Sequence, residues 1–181
     1  KPEEPEKREP NFESLVRIIT GQQLSSAAAS KIFNRLKELL GKKEITPLLI
    51  KAFKPQQILK CGLSNAKTKY IQNLADLFLE QPNYFDELKN NESKNIIERL
   101  QKIKGIGIWS ASIFALFYLN HPDIFAWGDV SLKKAIRLLY EDVEVIEHER
   151  VIEITSKWTP YRSTACIVLW KWLDDGAMEF S

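Results

Sequence analysis

Apolar residues recur at helical spacing over nearly the whole chain, and this periodicity constrains the fold more than any other feature. Phe12, Leu15, Val16, Ile18 and Ile19 share one helical stripe, and Ala27, Ala28, Ile32, Phe33, Leu36 and Leu39 form another. Gly41 supplies a C-terminal stop. Thr46–Pro47 is a cap with a first-turn proline, opening a short helix that Lys54–Pro55 interrupts. Ser64 caps a longer helix carrying Tyr70, Ile71, Leu74, Leu77 and Phe78. Further helices are predicted over 93–102, 108–120, 130–140, 147–157 and 161–174. Only Val143–Ile146 reads as a strand, and it is short. The predicted class is all-α.

The chain has 181 residues, 44% of them hydrophobic, with five Trp and nine Phe, enough for a real core in one domain or two packed lobes. The opening KPEEPEKREP is proline-broken and charged, so residues 1–11 read as a tail or strap and 12–181 as a single domain. No stretch approaches the roughly 20 apolar residues of a membrane span, and no signal-peptide pattern opens the chain. A soluble intracellular protein is expected. A chain opening on Lys1 rather than Met is expected to have further residues upstream. Cys61 and Cys166 alone make neither a disulfide framework nor a metal cage. His121 and His148 lack ligand spacing. The net charge is only +2. The first ten residues hold three bases against four acids, leaving +3 on the rest, which permits a nucleic-acid partner without arguing for one.

The most informative segment runs Leu100-Gln101-Lys102-Ile103-Lys104-Gly105-Ile106-Gly107-Ile108-Trp109-Ser110-Ala111. A helix ends near Ile103, two glycines make a tight turn, and a new helix starts at once, giving a hairpin over 93–120. Glycine accepts positive φ there and lets another backbone come close. The first N–H groups of the second helix lack intrahelical partners and lie at the positive end of its dipole. Such a turn makes an anion site, and a DNA phosphate fits it without many basic side chains. An ordinary αα-hairpin also favours glycine, and spacing alone does not separate the two readings.

Downstream come Pro122-Asp123-Ile124-Phe125-Ala126-Trp127-Gly128-Asp129-Val130-Ser131-Leu132, then Trp158-Thr159-Pro160-Tyr161-Arg162-Ser163 with Trp170 beyond. With Ile19-Thr20-Gly21-Gln22-Gln23-Leu24-Ser25 and Gly62-Leu63-Ser64-Asn65-Ala66-Lys67 near the start, these motifs resemble the helix-hairpin-helix DNA glycosylases. The likeness is greatest to the alkylation-repair 3-methyladenine DNA glycosylase II group and covers roughly residues 12–174. It implies two helical lobes with the active-site cleft between them.

Gly128–Leu132 reads as a helix start with Asp129 at the N-cap, where a carboxylate accepts backbone N–H bonds. By itself that is only a cap. The resemblance implies that Asp129 is the catalytic residue. Breaking an N-glycosidic bond builds positive charge on the sugar, and an oriented carboxylate stabilises it and positions water. One carboxylate suffices when the leaving base is already cationic, as N3- and N7-alkylated purines are.

The resemblance also implies a base pocket of Trp109 and Trp170, with Phe125 and Trp127 as neighbours, for stacking on a flipped, electron-poor base. Trp158 and Trp172 read as core. The resemblance further implies phosphate binding at the hairpin by Gly105, Gly107, Trp109 and Ser110, and a monovalent cation on the carbonyls of Gln101, Ile103 and Ile106. The turn before the Ser64 helix corresponds to a minor-groove wedge, with Leu63 and Asn65 near its tip and Gln23 and Ser25 opposite. Gln22 and Gln23 fit equally well as caps on buried backbone groups. Arg162 is expected to brace the last helix through a carboxylate.

Several positions depart from the family pattern. Lys104 stands where the family usually has Pro, and Ile113 where an aromatic is common. The lysine nucleophile of bifunctional members falls at Trp109, so a monofunctional enzyme without lyase activity is expected. The four-cysteine cluster of some relatives is missing, so no iron–sulfur centre and no other cofactor is expected. Double-stranded DNA with damaged bases is the expected partner, for a monomer with no membrane association. The expected location is cytoplasm or nucleoid in a prokaryote and the nucleus in a eukaryote. The alternatives are a glycosylase for deaminated or oxidised bases, or a non-catalytic DNA-binding module that keeps only the hairpin. Asp129, Trp109 and Trp170 argue against the last, since phosphate binding needs none of them.

Overall fold

The computed structural model describes residues 10–41, 44–89, 93–140 and 146–175, and within them the chain forms eleven α-helices and no strand. The first five are α1 (Phe12–Gly21), α2 (Ser26–Leu39), α3 (Pro47–Ala52), α4 (Pro55–Leu59) and α5 (Asn65–Glu80). Their starts are set by local chemistry. Asn11 closes a capping box with Ser14, and Ser25, Thr46 and Ser64 each accept a backbone N–H from the first turn of their helices. Asn11 therefore belongs to α1 as its N-cap rather than to a tail. Residues 1–9 lie outside the described residues.

The remaining helices are α6 (Tyr84–Lys89), α7 (Ser93–Gln101), α8 (Ile108–Phe117), α9 (Val130–Tyr140), α10 (His148–Ser156) and α11 (Arg162–Asp174). Sequence periodicity missed α6, which spans only six residues. Packing holds it: Leu88 is fully buried, Phe85 stacks on Phe114, and the Tyr84 hydroxyl donates to the Arg99 carbonyl at 3.0 Å. Helix α8 stops three residues before the expected 120. Asn120 adopts positive φ, and the His121 N–H turns back to the Ala115 carbonyl at 3.0 Å. Of the expected strand 143–146, only Ile146 is described, in no regular element.

Helix α8 is apolar on every side and is the buried central rod, with Ala111, Phe114 and Ala115 fully enclosed. It packs against α1 on one side and α7 on the other. Helix α1 also carries α2 and α5, whereas α9 pairs with α11. The two groups of helices form two lobes, and the starts of α8 and α9 meet where the lobes face each other. Trp158 and Trp172 are half-buried against the core, as expected, and both cysteines are buried. Among the described residues no helix is long and apolar enough to cross a membrane.

Candidate active site

Asp129 stands at the start of α9, on a turn shaped by Gly128 at φ +84°. Its backbone N–H donates to the Ala126 carbonyl at 3.1 Å, closing that turn. Its half-buried carboxylate accepts three hydrogen bonds. The Leu132 backbone N–H donates to Oδ1 at 3.0 Å, which is the N-cap bond. The Trp170 indole Nε1 also donates to Oδ1, at 3.2 Å, and the Trp109 Nε1 donates to Oδ2 at 2.9 Å. One tryptophan comes from the first turn of α8 and the other from α11, so three separate helices fix one carboxylate. The two indoles expected as stacking surfaces thus present their N–H edges to Asp129. Trp170 also stacks on Phe117, with ring centroids 5.8 Å apart.

The loop that delivers Asp129 is clamped by the start of α11. Arg162 donates from Nε to Asp123 Oδ1 at 2.6 Å and from Nη2 to Oδ2 at 2.7 Å, a bidentate pair. The Ile124 N–H donates to Ser163 Oγ at 3.0 Å, and the Ser163 N–H donates to the Pro122 carbonyl at 3.1 Å. Arg162 thus braces α11 as expected. Its guanidinium holds the Asp123 carboxyl below the usual carboxylate range. Because the folded pKa is depressed, the pair stabilises the fold above the ordinary value of 3.8 and loses that contribution as pH falls through the lowered one. Asp123→Asn is expected to cost about 2 kcal/mol at pH 7, because a mostly buried guanidinium loses its charged partner. Denaturant midpoints should show this gap narrowing in acid.

Asp129 opens onto a cavity of about 910 Å³ bounded by the hairpin, by the α1–α2 turn and by the start of α5. Gly105, Gly107, Trp109 and Ser110 all border it. Gly105 has φ +96°, and a Cβ there would lie 2.4 Å from the Tyr70 ring. Gly107 is the N-cap of α8, makes no side-chain cap bond, and has nothing within 4 Å of a notional Cβ. A side chain at Gly107 would therefore meet open space at the start of α8. Gln101, Ile103 and Ile106 also border the cavity.

Other expected site residues fall elsewhere. Phe125 is buried in the core and Trp127 packs edge-on against it at 4.7 Å. Both face a separate cavity of about 340 Å³ with Ile97, Asp123 and Arg162, so they do not line the Asp129 cleft. Leu63 is only 5% exposed and sits in the core, which corrects its expected place at a wedge tip. Asn65 is exposed at the start of α5, and its neighbours Ser64 and Ala66 border the cleft. Gln23 is exposed on the opposite rim with φ 55°, a conformation uncommon outside glycine. Ser25 caps α2 and does not reach the cleft wall.

Two cleft residues carry roles that periodicity could not show. Gln22 Nε2 donates to the Gly105 carbonyl at 2.7 Å and to Ser110 Oγ at 3.0 Å, so Gln22 is the backbone cap and Gln23 is not. Lys67 Nζ donates to the carbonyls of Thr20 at 2.9 Å and Gln22 at 2.6 Å, and burial lowers its pKa. Its residue type alone reads as a solvated surface lysine.

A family model described as HhH-GPD superfamily base excision DNA repair protein matches residues 16–161. The chain belongs to this superfamily. Among HhH-GPD relatives, DNA-3-methyladenine glycosylase 1 of Schizosaccharomyces pombe is 31% identical over 169 residues, 92% of this chain and 73% of that protein. A crystal structure of a DNA-3-methyladenine glycosidase from Bacillus halodurans superposes with a TM-score of 0.83 at 34% identity, covering 96% of this chain and 81% of that one. The S. pombe 3-methyladenine DNA glycosylase Mag1, solved in complex with abasic DNA, gives 0.78 at 28% identity, covering 91% and 85%. The hairpin, the all-helical class and the two lobes are those of the HhH-GPD fold, and the work of the superfamily is on DNA.

Proposed function

We propose that this protein is a monofunctional DNA N-glycosylase that flips alkylated purines, of the 3-methyladenine and 7-methylguanine type, from duplex DNA and excises them in base excision repair. The observation that carries the reading is the Asp129 carboxylate, held by three donors at the edge of a cleft floored by the Gly-Ile-Gly hairpin. The names of the relatives support the same substrate class. On this reading one domain over 12–181 acts as a monomer on damaged double-stranded DNA, in the compartment that holds the chromosome.

The amides at the start of α8, with Gly105, Gly107, Trp109 and Ser110, receive a backbone phosphate at the positive end of the helix dipole. The carbonyls of Gln101, Ile103 and Ile106 are neutral oxygen donors on the same turn and suit a monovalent cation, which would add positive charge beside that phosphate. Gln23 and Asn65, exposed on facing rims, enter the minor groove and fill the space left by the flipped nucleotide.

At the sugar, the C1′–N bond breaks with its electron pair leaving on the cationic base, which departs neutral without needing a proton. The oxocarbenium-like sugar develops its charge beside Asp129. A water oriented by the carboxylate adds to C1′ and passes a proton to Asp129, which returns it to solvent, leaving an abasic nucleotide. Each indole N–H holds one carboxylate oxygen, so the anion meets that charge without reorienting.

The test is base release from methylated DNA, separating 3-methyladenine, 7-methylguanine and hypoxanthine. Release of the two alkylated bases is expected, with DNA strands intact until alkali is added. Borohydride should trap no adduct. Lys104 borders the cleft and Lys67 lies within it, but Lys67 Nζ already donates to two carbonyls. An adduct lost on changing either lysine would overturn the monofunctional assignment and demote Asp129 to a helper.

A further inference from the structure

The turn between α1 and α2 is held from several sides at once. Its own backbone closes it, with the Leu24 N–H donating to the Gly21 carbonyl at 3.2 Å. Gln22 ties it to the hairpin through the Gly105 carbonyl and Ser110 Oγ. Lys67 reaches across from α5 to the Thr20 and Gln22 carbonyls. At the crest stands Gln23, exposed and in the left-handed region, where a non-glycine residue persists only if its surroundings impose it. The restraints converge on Gln23, which is exposed and borders the cleft, whereas the equally exposed Leu24 beside it does not.

We infer that Lys67 is a positioning residue: its ammonium locks the 20–24 turn so that Gln23 is presented rigidly to the hole left by base flipping. This rests on the glycosylase reading above. The Lys67 ammonium is engaged by the Thr20 and Gln22 carbonyls. Two of its three N–H donors meet these two backbone carbonyls, which converge on one point, a role for a compact cation on a long stem. A preorganised plug costs no ordering when the base leaves the stack, whereas a loose turn would have to be ordered at that step. The lysine thereby couples the α5 wall of the cleft to the hairpin through Gln22. The DNA is gripped and the hole filled by parts held in one hydrogen-bonded chain.

The inference makes a substrate-dependent expectation. A locked plug matters when flipping leaves an orphaned partner base, and matters little when the lesion faces an abasic nucleotide. Lys67→Met in the full chain should slow single-turnover release of 7-methylguanine opposite cytosine by about tenfold or more, and opposite an abasic nucleotide by less than about threefold. Lys67→Arg should recover most of the loss. Gln23→Ala should show the same substrate dependence, and the Lys67→Met/Gln23→Ala double variant should be no slower than Gln23→Ala alone. Should Lys67→Met not fold, Lys67→Gln, which keeps a donor, carries the same comparison. Equal slowing on both duplexes, or additive effects in the double variant, overturns the inference while leaving the glycosylase reading intact. A parent protein that releases no base overturns both.

Discussion

Asp129→Asn is expected to lower excision on the order of 10³-fold while leaving duplex binding within a few-fold of the parent. The substitution keeps the side chain's shape and the oxygen that accepts the Leu132 N–H, so the start of α9 should survive. It removes the negative charge of the carboxylate, and with Oδ1 kept for Leu132 and Trp170 it sets an amide NH2 against the N–H of Trp109, which now donates to Oδ2. Phosphate contacts at the hairpin do not involve this charge, which is why affinity and rate should separate. Single-turnover release and a binding titration on the same duplex check both halves. Excision within a few-fold of the parent would remove Asp129 from the mechanism.

Gly107→Asp is expected to weaken binding by about a hundredfold at low salt, alike for damaged and undamaged sequences. The position is an exposed N-cap with room for a side chain, and its backbone sits at φ −86°, where any residue is at ease. An aspartate would also cap α8 well, so the fold should hold or gain. What changes is the sign of the charge at the place proposed to receive a phosphate. Gly105 could not serve the same test, because its positive φ and the Tyr70 ring against it make any side chain destabilising. Fluorescence anisotropy across a salt series reads the effect. Normal affinity in a folded Gly107→Asp protein would mean that the hairpin is not the anchor.

Much of the fold was legible because its helix boundaries are local chemistry. Thr46 and Ser64 announce helix starts by residue type, and each makes the cap bond, whereas Ser25, expected at the minor groove, is the cap of α2. Helix α6 was not legible, since only tertiary packing of Tyr84, Phe85 and Leu88 holds its six residues. At the site, Asp129 was legible as an N-cap. Its bonds to Trp109 and Trp170 were not, because they join residues 20 and 41 positions apart and depend on how α8 and α11 lie against the start of α9. Aromaticity near Asp129 in the chain suggested Phe125 and Trp127, yet the turn at Gly128 carries them to the far side of the loop. Leu63 sits next to a cleft-lining serine and still points into the core, as an apolar side chain beside a helix start often does. Gln22 was legible as one of two amides able to cap backbone groups, though not which group it would reach, and Lys67 acts through backbone carbonyls that leave no trace in residue type.

The central claim is that one well-held carboxylate suffices because the departing base already carries positive charge. The most direct measurement is single-turnover excision of 7-methylguanine and of hypoxanthine from otherwise identical duplexes, as a function of pH. The account predicts that the cationic base leaves faster by about a hundredfold or more near neutral pH, since hypoxanthine must gain a proton and, among the described residues lining the cleft, Asp129 is the one carboxylate. Equal rates for the two bases, or a hypoxanthine rate that collapses on changing a second acidic side chain, would contradict it.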